Sequence, residues 1–218
     1  MRRGLLALTI AVVGPLLGCA AGGDDAAPTT APSASVSATS STEARPSATP
    51  SSDPAGAPRL SPSQLRRELL RMARQDQGLP TKGPATTDLQ RQQRLAEILD
   101  QVGWPTYDLV GKDGGDAAWL IAQHADLDPD LQKRALRLLR AAVADGQASE
   151  GNLAYLEDRV AAAEHRPQRY GTQIDCTQDG AVPRGGLLLP GRVDQLRRRA
   201  GLEPLADYLD TMSSVCSQ

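Results

Sequence analysis

The chain has 218 residues and a formal net charge of −2, with 24 Lys and Arg against 26 Asp and Glu, so its overall balance carries no electrostatic footprint for nucleic acid. Phe is absent and aromatic residues make up only 3%, which leaves Leu, Val and Ala, helped by Trp104 and Trp119, to build any core. Composition shifts sharply near residue 60, and the part beyond it has the length of one domain.

The N-terminus opens with Arg2 and Arg3, followed by an apolar run over residues 4–17. That order predicts a secretory signal peptide over residues 1–18. The run is short for a bilayer span and Gly14-Pro15 interrupts its helix, so a transmembrane segment is not expected. Its end, Leu16-Leu17-Gly18-Cys19, resembles the lipobox of bacterial lipoproteins. The resemblance implies cleavage after Gly18 and a diacylglycerol on Cys19; two acyl chains would anchor the chain stably to the extracytoplasmic face of the cell membrane. Residues 20–58 are almost entirely Ala, Ser, Thr, Pro and Gly and cannot bury enough surface to fold. Residues 19–59 therefore read as a lipidated cysteine followed by a disordered tether, whose roughly 40 residues reach about 35 Å as a flexible coil.

The folded domain is expected over residues 60–218. Ser61, Pro62 and Gln64 form a helix-start signature, and Leu65, Leu69 and Met72 then recur on one face. A second helix is predicted after Thr87, with Leu89, Leu95, Ile98, Leu99 and Val102 as its apolar stripe, Gln and Arg toward water, and Gly103 as its stop. Residues 103–115 contain Pro105 and several glycines and predict a loop, with a short apolar helix following over 116–124. Next, His124, Asp126 and Asp128 stand at alternate positions, which raises the question of a metal site. Asp128 before Pro129 is better explained as an N-cap and first-turn pair, which removes one of the three ligands. The helix that follows carries Leu131, Ala135, Leu138, Leu139 and Ala142. A fifth, capped by Ser149, places Leu153, Leu156, Val160 and Ala163 on one side and ends before Pro167. Asp179-Gly180 predicts the turn of a small hairpin, and helical pieces over 193–200 and 205–212 close the chain. The expected fold is mainly α: a compact domain of five to seven helices with at most one β-hairpin.

There are two histidines, His124 and His165, and neither a Cys-x-x-Cys nor a His-Glu-x-x-His pattern, so no metal is expected. No Gly-x-Ser-x-Gly elbow or phosphate-cradling loop is present, and no cofactor is predicted. With Cys19 taken by lipid, Cys176 and Cys216 remain as a pair in an oxidising compartment, where a disulfide is favoured.

The segments "GWPTYDLVG", "AAWLIAQHADLDP", "LAYLEDRV", "RPQRYGTQ" and "GLEPLADYL", in this order, resemble a group of bacterial proteins gathered as domain of unknown function 6624. The resemblance runs over residues 65–212 and brings no activity with it. It implies shared positions at Gly103, Trp104, Pro105, Trp119, Gln123, His124, Ala125, Asp126, Asp158, Arg159, Tyr170, Gly171, Thr172 and Gln173. His165 stands where the pattern has a small residue, and the two cysteines look particular to this chain.

These positions suggest a site. With Asp158 orienting it, His124 would act as acid or base while Arg159 binds an anionic group, the outline of an extracytoplasmic hydrolase or transferase. Tyr170, Gln173, Trp104 and Trp119 are candidate binding residues. A purely architectural role is also open to them, because a helix-terminal His suits the dipole and Asp-Arg pairs lock helices together. A binding or interaction module at the membrane, its protein or cell-wall ligand undefined, is the first expectation, and an enzyme is the alternative. Arg66-Arg67 and Arg197-Arg198-Arg199 read as solvated helix faces, with contact to anionic wall polymer or lipid headgroups as the functional alternative.

Overall fold

A computed structural model describes residues 60–217. The expected leader, the expected lipidation at Cys19 and the expected tether fall outside these residues.

The chain starts folding where its capping chemistry is strongest. The Ser61 side chain accepts the Gln64 N–H while the Gln64 side chain accepts the Ser61 N–H, and this box opens α1 (Pro62–Asp76). Thr87 and Gln90 repeat it at the start of α2 (Asp88–Val102), which Gly103 ends as expected. After α3 (Tyr107–Gln123), Asp128 accepts the Leu131 N–H to cap α4 (Pro129–Ala144), and Ser149 accepts the Asn152 N–H to cap α5 (Glu150–Ala163). The cap reading of Asp128 therefore holds. A hairpin of β1 (Ile174–Thr177) and β2 (Gly180–Pro183) follows, then α6 (Val193–Arg199) and α7 (Leu205–Cys216). The described residues thus hold seven α-helices and one antiparallel hairpin, within the expected architecture.

Three local expectations are corrected. Residues 103–115 are largely helix: α3 begins at Tyr107 and bends at Gly111, where φ is 75° and ψ 166°. Local sequence supplies no side-chain cap there, so the partners come from far along the chain. The Tyr107 N–H donates to the Gln147 carbonyl and the Asp108 N–H to the Gln147 side chain. The neighbouring glycine serves packing, because a Cβ on Gly114 would stand 2.8 Å from that of Val110. Second, Arg91 and Gln92 of α2 are buried while Leu89 and Val102 are exposed, and Ala163 at the end of α5 also faces water. Third, Thr177 pairs with Gly180, so the two-residue turn is Gln178 and Asp179, one position earlier than Asp179-Gly180.

The main core is built by α1 to α5 around Leu69, Leu95, Ile98, Ile121, Leu139 and Leu156, all at most 1% exposed. Each such side chain contributes about 1.5–3 kcal/mol. A smaller cluster of Ala181, Tyr208 and Met212 lies between the hairpin and α7. The expected disulfide between Cys176 and Cys216 is formed there, with the Cα atoms 5.5 Å apart.

Candidate functional site

The last carbonyls of α3 have no partner within their own helix. Glutamines from two other helices take them. Gln92 of α2 donates to the His124 carbonyl at 3.2 Å, and the buried Gln132 of α4 donates both to the Gln123 carbonyl at 3.2 Å and to Asp126 Oδ1 at 3.0 Å. These bonds gather the end of α3 and the starts of α2 and α4 at one end of the bundle, where the end of α1 joins them through Asp76.

There His124 Nδ1 stands 2.6 Å from Asp76 Oδ2. The Asp76 side chain is only 7% exposed and the His124 side chain 29%. A carboxylate at the C-terminus of a helix opposes the helix dipole, so Asp76 needs compensation. It comes from the imidazole, from the Gln77 side chain, which donates at 3.1 Å, and from the buried Arg91, whose Nε lies 3.7 Å away. Arg91 is itself held by the Thr86 carbonyl and by Asp88. The bond between Nδ1 and Asp76 fixes the ring in one orientation and leaves Nε2 outside it. Nε2 has no hydrogen-bond partner among the described residues.

Asp158, expected to orient His124, is committed elsewhere. It is 0% exposed. One carboxylate oxygen accepts the Arg169 N–H at 2.8 Å and the other accepts the Thr172 N–H at 2.9 Å and the Thr172 hydroxyl at 3.1 Å, with the Tyr170 N–H at 3.2 Å from both. Burial pushes this carboxyl above the ordinary range, and the surrounding backbone donors oppose the shift. It is a clamp on residues 169–172, and the partner of His124 is Asp76.

Arg159 is likewise occupied. Its fork grips both oxygens of Asp126, and Nη1 donates to the side chain of Gln173 at 2.9 Å. Asp126 therefore joins α5 to the turn after α3, a larger task than that of a turn residue. Gln173 is buried, and its backbone exchanges two hydrogen bonds with the side chain of Gln168, at 2.8 and 2.7 Å. Tyr170 is half-buried, with the guanidinium of Arg169 over its ring at 5.6 Å and its carbonyl accepting from Arg197 at 2.8 Å. Trp104 lies in the core, and the partly buried Trp119 packs against that core, edge-on to Tyr155 at 6.1 Å.

Arg197, expected on a solvated face, is fully buried. It donates to the carbonyls of Glu203 and Tyr170 and lies 4.9 Å over the Tyr208 ring, while the Tyr208 hydroxyl donates to the Thr172 carbonyl. Burial pulls this guanidinium below its ordinary range and pushes the Tyr208 phenol up. Asp76, Gln132 and Gln168 carry no pattern that singles them out in the sequence, and Arg197 is marked there only as part of a basic run. The nearest signal is Asp76 itself, an acid placed where a helix prefers a base. Among the described residues no group of three or more His, Cys, Asp or Glu is arranged to hold a metal ion, and no helix is long and apolar enough to cross a membrane.

Fold and site together define a small helical domain, fastened by buried polar side chains, with a carboxylate-held histidine at one end of its bundle. The chain belongs to a family of unknown function, DUF6624, whose model matches residues 78–216, more than half of its length. That match starts later than the resemblance over 65–212 suggests, leaving α1 and Asp76 outside it. Neither a curated protein nor a solved structure matches the chain.

Proposed function

We propose that this chain is a lipid-anchored cell-envelope protein whose helical domain acts as a binding module, with His124 at its contact edge. The anchoring half rests on the order of leader, lipobox, polar tether and domain along the sequence. The binding half rests on one observation: of the candidate polar side chains, His124 alone combines partial exposure with a ring fixed on one nitrogen and unpartnered on the other.

Two experiments test the two halves. Cells fed a clickable palmitate analogue are expected to label the wild-type chain and not Cys19→Ser, and the serine variant is expected to leave the membrane fraction for the soluble one. Equal labelling of the two chains would remove the anchor. For the contact edge, the unlipidated Cys19→Ser chain is mixed with detergent-washed envelopes. Adding His124→Gln, whose amide retains a donor for Asp76, is expected to cut retention at least tenfold while shifting the melting temperature by no more than about 2 °C. Undiminished retention takes His124 out of the contact.

The same pair supports a second reading, an extracytoplasmic hydrolase or transferase. In it Asp76 holds the imidazole tautomer, the role assigned above to Asp158, and Nε2 takes or gives the proton. Arg159 has no part in that version, because Asp126 and Gln173 already engage it.

A further inference from the structure

Between the hairpin and α6 the chain reads Arg184-Gly185-Gly186-Leu187-Leu188-Leu189-Pro190-Gly191-Arg192. Three successive leucines ordinarily seek a core. Here Leu187 alone turns inward, toward Gly171, where an added Cβ would meet its side chain at 3.0 Å. Leu188 and Leu189 remain 58% and 42% exposed.

Their exposure is imposed by a fixed backbone. The Gln168 N–H donates to the Gly186 carbonyl at 2.9 Å, and the Leu188 N–H donates to the Gln168 carbonyl at 2.7 Å. On the far side the Arg192 N–H donates to the Leu189 carbonyl at 3.0 Å, closing the 3-10 turn Pro190–Arg192. The two side chains are therefore presented to solvent from both ends of the loop.

Along the chain after them the exposed charges are mostly basic. Arg192, Arg198 and Arg199 are exposed, and none forms an ion pair among the described residues. Arg192, Gln195 and Arg199 follow the helical spacing of one face, with the Arg192 side chain reaching Gln195 at 3.4 Å. The one acid of this stretch, Asp194, is committed to the Leu205 N–H at 2.8 Å.

We propose that Leu188 and Leu189, followed along the chain by the exposed Arg192 and Arg199 on one helical face, form a loop that docks onto an anionic lipid bilayer. Side chains of this kind enter the boundary between headgroups and acyl chains while the arginines remain among the headgroups. A soluble polyanion would engage the arginines and leave both leucines in water. A second copy of the chain would cover the leucines only by bringing two sets of unpaired arginines together. Anionic lipid satisfies both halves of the patch. The biological setting rests on the proposed anchoring, since a tether of about 35 Å keeps the loop within reach of the membrane. The loop's own affinity needs no lipid on Cys19.

The test uses the full chain carrying Cys19→Ser, sedimented with sucrose-loaded vesicles. Residues 1–59 are common to every variant and cancel in the comparison. The parent is expected to partition more strongly onto phosphatidylglycerol-rich vesicles than onto pure phosphatidylcholine. Leu188→Ser with Leu189→Ser is expected to lower partitioning about tenfold or more on the anionic vesicles. Arg192→Ser with Arg199→Ser is expected to lower it about fivefold per arginine there and to leave phosphatidylcholine binding unchanged. Melting temperatures within about 2 °C of the parent confirm that the variants are folded. The proposal is overturned if the leucine variant partitions like the parent, if the parent ignores lipid charge, or if the leucines instead abolish a concentration-dependent dimer. Failure of palmitate labelling at Cys19 would sink the anchor and leave this measurement standing.

Discussion

Asparagine in place of Asp158 is expected to lower the stability of the domain by about 3–5 kcal/mol. The carboxylate accepts from three backbone N–H groups and one hydroxyl, and both of its oxygens are engaged. Asparagine keeps one acceptor oxygen and puts an NH2 group where the other stood. Whichever way the amide turns, a donor faces a donor, and each buried N–H left unsatisfied costs about 1–3 kcal/mol. Urea unfolding of the two chains measures the difference, and a loss under about 1 kcal/mol would show that the segment has other means of support. His124 is not expected to feel the change, because its ring is held by Asp76. This result would separate the clamp from the proposed contact edge: one substitution is expected to act on stability and the other on retention.

Opening the bridge between Cys176 and Cys216 is expected to cost about 4 kcal/mol for the 40 residues it spans, on a chain-entropy basis. The cost falls on one part of the molecule. The hairpin and α7 share only a small apolar cluster of Ala181, Tyr208 and Met212, whereas α1 to α5 have the main core. Hydrogen exchange on the Cys176→Ser, Cys216→Ser protein should therefore quicken first in α7 and the hairpin, with the core helices protected as before. Uniform acceleration through every helix would mean that the two clusters unfold as one unit. An unchanged melting temperature would mean that the bridge adds nothing.

Where a helix carries its own caps, the sequence is a reliable guide. Ser61, Asp128 and Ser149 mark real helix starts, and the apolar spacing after each of them reaches the core. Local pattern is a poor guide where partners arrive from a distance. Nothing near Tyr107 announces that Gln147 will satisfy the first N–H groups of α3, and by local pattern alone its glycines predict a loop. Arg91, Gln92 and Arg197 are polar side chains that ordinarily face water, and they are buried because carbonyls orphaned at helix ends and turns need donors. The candidate site divides in the same way. His124 stands out by its alternation with Asp126 and Asp128, and Asp158 and Arg159 only through the family resemblance, but their pairing is a property of helix ends meeting in space. Asp76 lies 48 residues from His124 along the chain, and no local spacing rule connects them.

The fasteners of residues 168–173 share one property. Asp158 holds N–H groups, Arg197 and Tyr208 hold carbonyls, and Gln168 holds both backbone groups of Gln173. They read the main chain, which every amino acid except proline supplies alike. The outward side chain of Arg169 is consequently free to vary without cost to the shape of the loop. A surface whose shape is set from beneath while its lettering is left open is one on which new specificities can be written, position by position, at little risk to the fold.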